Sequence, residues 1–306
     1  MIPLVDLHRH LEGAIRPSTV IELADRRPDV PAPRRADLIA APQEGDLLRY
    51  LAKIDNATRV ARTAADWHRI TSEAIVDAYD DGLTAVELRF SPRFVEAMTG
   101  VAAETVLEAV ADAASSSAID IEVGLVGIIL RDEGPESAVA QMGLLVRHAA
   151  TLVGVDLAGN EAGYPARLFA AAFAQAHDRG LPVTIHAGEA AGPQSVWDAL
   201  HHLRPTRIGH GVRSAEDPRL LDHLAEQGVT LEVAITSNVQ TGAAPSRAEH
   251  QIRSLVDAGV PVAVCTDNPT VSGTRLSAEL AVAADILGPA PADRLRHQAE
   301  AARFGR

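Results

Sequence analysis

The sequence predicts an α/β fold, a single-domain (β/α)₈ barrel, and three observations carry that prediction. Eight short apolar runs rich in Val, Ile and Leu alternate with longer amphipathic stretches along the 306-residue chain. No Gly-rich phosphate turn recurs between them, which favours a closed barrel over a doubly wound sheet. The length agrees, since α/β barrels of roughly 250 residues form one domain.

In chain order the strand-like runs are Leu4–Leu7, Ala85–Phe90, Ile121–Leu130, Leu152–Leu157, Pro182–His186, Arg207–His210, Val229–Ile235 and Val260–Thr266. Helix-like segments between them include Ala64–Asp80, Glu104–Ser115, Tyr164–Arg179, Ser195–Leu203 and Pro218–Gln227. Several end near a glycine (Gly82, Gly180, Gly228), the residue that closes helices most readily. The Ser115–Ser117 run reads as a helix end and loop. A strand-poor insertion at about 26–64 follows the first strand and helix and carries Pro28, Pro31, Pro33 and Pro42. No repeat of fixed period and no low-complexity tail is visible.

A hydrophobic content of 47% supplies a large core, and a net charge of −13 argues against a nucleic-acid partner, which needs a basic face. The one cysteine, Cys265, excludes an internal disulfide and fits a reducing compartment. The start, MIPLVDLHRH, shows no secretory pattern, and no apolar run reaches the ~18 residues of a membrane span. A cytoplasmic location is therefore expected.

The first strand ends Asp6-Leu7-His8-Arg9-His10. Residues two apart on a strand share a face, so His8 and His10 point together into the barrel mouth, as a chelating pair for zinc or a similar divalent ion. Alone, such a pair reads equally well as two polar residues at a strand end. Three further strands, however, end in His186-Ala187-Gly188-Glu189, Gly209-His210-Gly211 and Thr266-Asp267-Asn268. All of these polar groups fall at the carboxyl ends of strands, where barrel active sites sit. Scattered surface histidines would not sort this way. The others (His68, His148, His177, His201, His202, His223, His250, His297) fall in helices or loops and read as solvated or capping groups.

Three imidazoles and a carboxylate can hold a divalent ion that lowers the pKa of a water toward neutrality. Glu189 is then placed as a proton shuttle, and His210 as a partner of the attacking water. Taken singly, Glu189 is also what a helix's first turn favours, and His210 a satisfied core histidine.

Together these residues resemble the adenosine deaminase family over almost the whole chain. The matching stretches are LVDLHRHLEGAIRPSTVIELA at 4–24, VELRFSP at 86–92, GVDLAGNEAGYP at 154–165, TIHAGEAAGPQSVWDAL at 184–200, RIGHGVR at 207–213, TSNVQTG at 236–242 and CTDNP at 265–269. The resemblance implies one Zn²⁺ bound by His8, His10, His186 and Asp267, and a small-molecule purine nucleoside as partner. Glu189 would protonate ring nitrogen 1 as hydroxide attacks carbon 6. His210 would orient and stabilise that hydroxide, with Asp267 steering it. The Gly159 N–H would bind ring nitrogen 3, because a side chain there would block the base. The insertion at 26–64 would lid the sugar side.

Four departures stand out. Glu12 replaces the family's usual Asp, which meets the ribose 5′-hydroxyl; its extra methylene pushes the carboxylate further into the pocket and resembles adenine deaminases. Asn268 replaces an acid that donates to ring nitrogen 7, a bond an amide also makes. Asn160 replaces an Asp beside Gly159, keeping an acceptor and losing a charge. Relatives usually continue past the segment resembling 299–306, so the C-terminus is short. Deamination of adenosine or 2′-deoxyadenosine leads. Another aminopurine follows (free adenine, an aminofutalosine-like nucleoside or a nucleoside of specialised metabolism), with Glu12 and the insertion at 26–64 as its motives. A metal-dependent amidohydrolase or phosphoesterase on the same barrel usually bridges two metals and needs a carboxylated Lys or a mid-strand acid, and the only lysine, Lys53, lies outside any predicted strand. A non-catalytic purine-binding protein would have little use for Glu189 and His210.

Overall fold

Parallel strands alternate with helices throughout the computed structural model, which describes residues 3–27, 29–31 and 33–305. Pro28, one of the insertion's prolines, and Arg306 lie outside the described residues. The strands are β1 (Val5–His10), β2 (Ala85–Phe90), β3 (Glu122–Leu130), β4 (Gly154–Ala158), β5 (Thr184–Ala187), β6 (Arg207–His210), β7 (Thr230–Val233) and β8 (Val262–Val264). They pair in sequence order as two four-stranded halves, β1 to β4 and β5 to β8. Backbone bonds close the ring at both seams: His10 N–H to Asp267 O at 2.7 Å, and Val155 N–H to Pro182 O at 2.9 Å. The barrel is as expected, and β2 and β6 have the expected bounds. β7 and β8 are shorter than their apolar runs, because Ile235 opens a helix and Thr266 leaves the ladder.

The helices are α1 (Pro17–Asp25), α2 (Leu47–Thr58), α3 (Ala64–Asp80), α4 (Pro92–Thr99), α5 (Ala103–Ser115), α6 (Gly134–Arg147) and α7 (Ala170–Asp178). There follow α8 (Pro193–Leu203), α9 (Pro218–Gln227), α10 (Ile235–Thr241), α11 (Ile252–Asp257), α12 (Pro269–Ser272), α13 (Leu276–Leu287) and α14 (Pro289–Ala301). The helix expected over Tyr164–Arg179 begins instead as a 3₁₀ turn at Ala166–Phe169. Pro165 precedes that turn with extended backbone, which delays the α-helix proper. The insertion holds α2, whose first N–H groups are capped by the Asp46 carboxylate.

The barrel interior is ionic below the mouth. Arg89 of β2 is fully buried and reaches Asp156 of β4 at 2.8 Å and Glu232 of β7 at 2.9 Å. Arg207 of β6 bridges Glu87 at 2.5 Å and Glu232 at 2.7 Å. At the strands' amino end Phe304 lies under this network, its ring centroid 3.4 Å from the Arg207 guanidinium carbon. Its N–H also donates to Glu87 at 2.7 Å. The segment around Phe304 thus plugs the lower end of the barrel.

Candidate active site

Every strand end singled out in the sequence converges on one point. His8 Nε2 lies 3.1 Å from His10 Nε2, which lies 3.2 Å from His186 Nε2. Asp267 Oδ1 stands 3.4 Å from His8 Nε2 and 3.3 Å from His10 Nε2. Carboxylates behind two of the rings dictate their tautomers. His8 Nδ1 meets Glu232 at 2.9 Å and His186 Nδ1 meets Asp156 at 2.9 Å. Burial alone would raise both acids; the fields of Arg89 and, respectively, Arg207 and His186 overcome it and hold them well below the usual carboxylate range. Each ionised acid therefore accepts a hydrogen bond from the Nδ1–H of its histidine and leaves an Nε2 lone pair facing the centre.

That donor set suits a cation. Converging lone pairs and a carboxylate repel one another unless a positive charge sits between them. Tetrahedral zinc with bonds of about 2.0–2.1 Å also spaces its ligands by about 3.3–3.4 Å, close to the separations here. A second grouping is present: His8, His186, His210 and Asp267 offer atoms within 4.8 Å of one another. The set with His10 is the better one, because both nitrogens of His210 face other partners. Its Nδ1 lies 3.0 Å from the Asn238 amide nitrogen and its Nε2 lies 3.5 Å from Glu189 Oε2.

Backbone conformation aims these groups. His210 and Asp267 adopt left-handed conformations, φ 62° and 60°. Non-glycine residues rarely do so, and such strain persists where surrounding structure enforces it. Gly159 needs φ 102°, and a Cβ there would fall 2.1 Å from Asp132 Oδ2. Within the protein itself, a side chain at 159 would meet the Asp132 carboxylate first.

These groups floor a cavity of about 440 Å³, and Glu12, Ser91, Gly159 and Asn268 also line it. From the insertion, Leu47, Leu48, Tyr50 and Leu51 of α2 contribute to the wall, while no lysine or arginine among the described residues lines it. Glu12 is 4% exposed; its Oε1 accepts the Ser91 N–H at 2.7 Å, and Oε2 has no protein partner. Burial pushes its carboxyl up to about 7. Its added methylene therefore turns one oxygen toward the β2–α4 junction, and only the other remains for the pocket. Asn268 packs against Gly13, where a Cβ would lie 1.9 Å from Asn268 Oδ1. Asn160 accepts the Gly163 N–H at 2.9 Å and shapes the turn after β4.

Sequence reading missed the residues that hold the others in place. Glu161 accepts the N–H groups of Gly188, Glu189, Ala190 and Ala191 at 2.5–3.1 Å. The Ser237 hydroxyl donates to Asp267 Oδ2 at 2.5 Å. Asp156 and Glu232 carried a visible signal: an acid inside an otherwise apolar strand. His250, read as solvated or capping, is 4% exposed. It does cap the start of α11, but it also lies behind His210, with Asn238 between them.

Comparison with known proteins gives the family. The family model described as adenosine deaminase matches residues 3–304. An adenosine deaminase of Klebsiella pneumoniae is 38% identical over 295 residues, 94% of this chain and 88% of that one. The crystal structure of an adenine deaminase from Arthrobacter aurescens superposes with a TM-score of 0.91 at 26% identity, covering 100% of this chain and 95% of that one. An amidohydrolase of Burkholderia ambifaria with bound Zn gives 0.90 at 25% identity, covering 100% and 86%. With its barrel, its converging histidines and a family match across nearly its whole length, the chain belongs to the adenosine deaminase family.

Proposed function

We propose that this enzyme, a hydrolytic deaminase acting on C–N bonds, replaces the 6-amino group of adenosine or 2′-deoxyadenosine with oxygen and releases ammonia. The observation that carries the reading is the meeting of His8, His10, His186 and Asp267 beside Glu189 and His210 at the floor of one cavity. Zinc bound by those four residues would supply Lewis acidity that makes a water acidic near neutral pH.

The rest falls to the chain's own side chains. The attacking water supplies two protons, one for ring nitrogen 1 and one for the departing amine, and Glu189 carries them. Burial pushes the Glu189 carboxyl above its usual range, which favours the protonated form that must donate. His210 and Asp267 face the water; the Gly159 N–H and the Asn268 amide bind ring nitrogens 3 and 7. α2 serves as the lid over the sugar side, within a one-domain barrel spanning 1–306. A wall carrying Glu12, Asp55 and Asp132 and, among the described residues, no lysine or arginine suits an uncharged nucleoside better than a nucleotide. Free adenine is the second reading, favoured by the buried, unpaired Glu12 Oε2. No helix among the described residues is long and apolar enough to cross a membrane, and a cytoplasmic site of action belongs to the same reading.

The test is a substrate panel: adenosine, 2′-deoxyadenosine, adenine, an aminofutalosine-type nucleoside and AMP, followed by the absorbance change on loss of the amino group. Turnover of the two nucleosides, abolished by a chelator and restored by zinc, is expected. Preference for adenine would move the substrate to the second reading, and no turnover of any compound would overturn both.

A further inference from the structure

Behind His210 runs a chain of hydrogen bonds whose direction is set by a backbone amide. The Ile252 N–H donates to His250 Nδ1 at 3.0 Å. A backbone N–H can only donate, so His250 Nδ1 is an acceptor, and the proton of the neutral ring lies on Nε2. That Nε2 stands 3.3 Å from Asn238 Oδ1, which accepts from it. The Asn238 amide is thereby oriented, and its Nδ2 faces His210 Nδ1 at 3.0 Å as a donor. His210 Nδ1 must then be the acceptor, leaving its proton on Nε2. Burial pushes the His250 ring down to about 4, so it is neutral as the chain requires.

We propose that Asn238 and His250 are positioning residues that lock His210 in the Nε2–H tautomer, so that it meets Glu189 and the reacting water as a hydrogen-bond donor and not as a base. The consequence rests on the deaminase reading; the tautomer does not. His210 Nε2 lies 3.5 Å from Glu189 Oε2, the group left to carry protons. An imidazole with Nε2 already protonated stabilises negative charge on the attacking oxygen and has no lone pair there with which to take a proton. All four members of the chain are buried, which keeps water from offering His210 Nδ1 an alternative partner.

The test uses ¹⁵N-histidine-labelled, zinc-loaded protein, with His210 assigned by its loss in a His210→Ala control. Two-bond ¹H–¹⁵N correlations report which ring nitrogen holds the proton. In the parent, His210 should carry it on Nε2. Asn238→Asp is isosteric but can only accept, so the proton should move to Nδ1. kcat should then fall about a hundredfold or more, with KM and zinc content nearly unchanged; a wrong histidine tautomer is known to cost about 10⁴ in a serine protease. His250→Gln, which keeps a donor toward Asn238, should preserve tautomer and rate, whereas His250→Leu should lose part of both. Should Asn238→Asp fail to fold, the parent spectrum and the two His250 variants decide. A parent His210 protonated on Nδ1 overturns the proposal, as does an unmoved proton in Asn238→Asp. Inactivity toward every aminopurine with the Nε2–H tautomer intact would sink the deaminase reading and leave the lock standing.

Discussion

Glu189 is 14% exposed and receives a hydrogen bond from the Thr241 hydroxyl at 2.9 Å. Glu189→Gln keeps that size and polarity but cannot move a proton. Zinc content measured by metal analysis should stay at one per chain, while kcat drops by roughly 10²–10⁴. His250 makes a prediction about stability instead. Its folded pKa of about 4 lies below the ordinary 6.5, so between these values the unfolded chain binds the proton that the folded one refuses. Its contribution is therefore complete above pH 6.5 and shrinks as pH falls toward 4, by about 3 kcal/mol at 1.36 kcal/mol per pH unit. Urea denaturation at pH 7.5 and pH 5 should show the parent losing more stability than His250→Gln; equal losses would refute the assignment.

At the scale of elements, the loop after β5 is held by a single acid. Four successive N–H groups of residues 188–191 converge on Glu161, an anion nest that fixes the backbone carrying Glu189. Glu161→Gln leaves one oxygen and adds a donor, weakening the loop by about 1–3 kcal/mol. If that free energy appears in the transition state, kcat falls roughly ten- to a hundredfold, and amide exchange of residues 188–191 should rise with it. Helix α2 at the cavity wall behaves differently. Leu48 is 78% exposed at the cavity wall, so Leu48→Ser should change stability by no more than ~0.5 kcal/mol. A severalfold rise in the KM for adenosine at constant kcat is expected, and an unchanged KM would remove α2 from substrate binding.

Across the whole molecule, one buried network joins the barrel's lower plug to the donor cluster. Phe304 and Glu87 contact Arg207, Arg207 contacts Glu232, and Glu232 contacts both Arg89 and His8. Glu232→Gln removes one charge from the centre and leaves two guanidinium groups undercompensated. Breaking a buried ion pair costs about 3–5 kcal/mol, and loss of the carboxylate behind a metal-binding histidine lowers metal affinity about 10–100-fold. Chemical denaturation and competitive chelator titration should show both effects together. A variant that loses stability but keeps its zinc affinity would separate the network from the site.

The barrel and the candidate site residues were legible because both are written in local pattern. Apolar runs of the right length announce strands, and His8, His10, His186, His210 and Asp267 all stand at the ends of such runs. Two-residue periodicity placed His8 and His10 on one face, and their Nε2 atoms do meet. What sequence could not settle depends on partners far apart in the chain. Asp156 and Glu232 acquire their roles only when β4 and β7 come beside His186 and His8, 30 and 224 residues away. His250 looked like a surface residue because nothing in its neighbourhood announces Asn238. Glu12 reads as a longer Asp until the Ser91 N–H, 79 residues on, captures one of its oxygens. Strand periodicity is a property of neighbouring residues, whereas tautomers, buried charges and side-chain aim are properties of contacts. Local pattern therefore singled out the residues that converge on one site, and only the closed barrel decided which ones hold them in position.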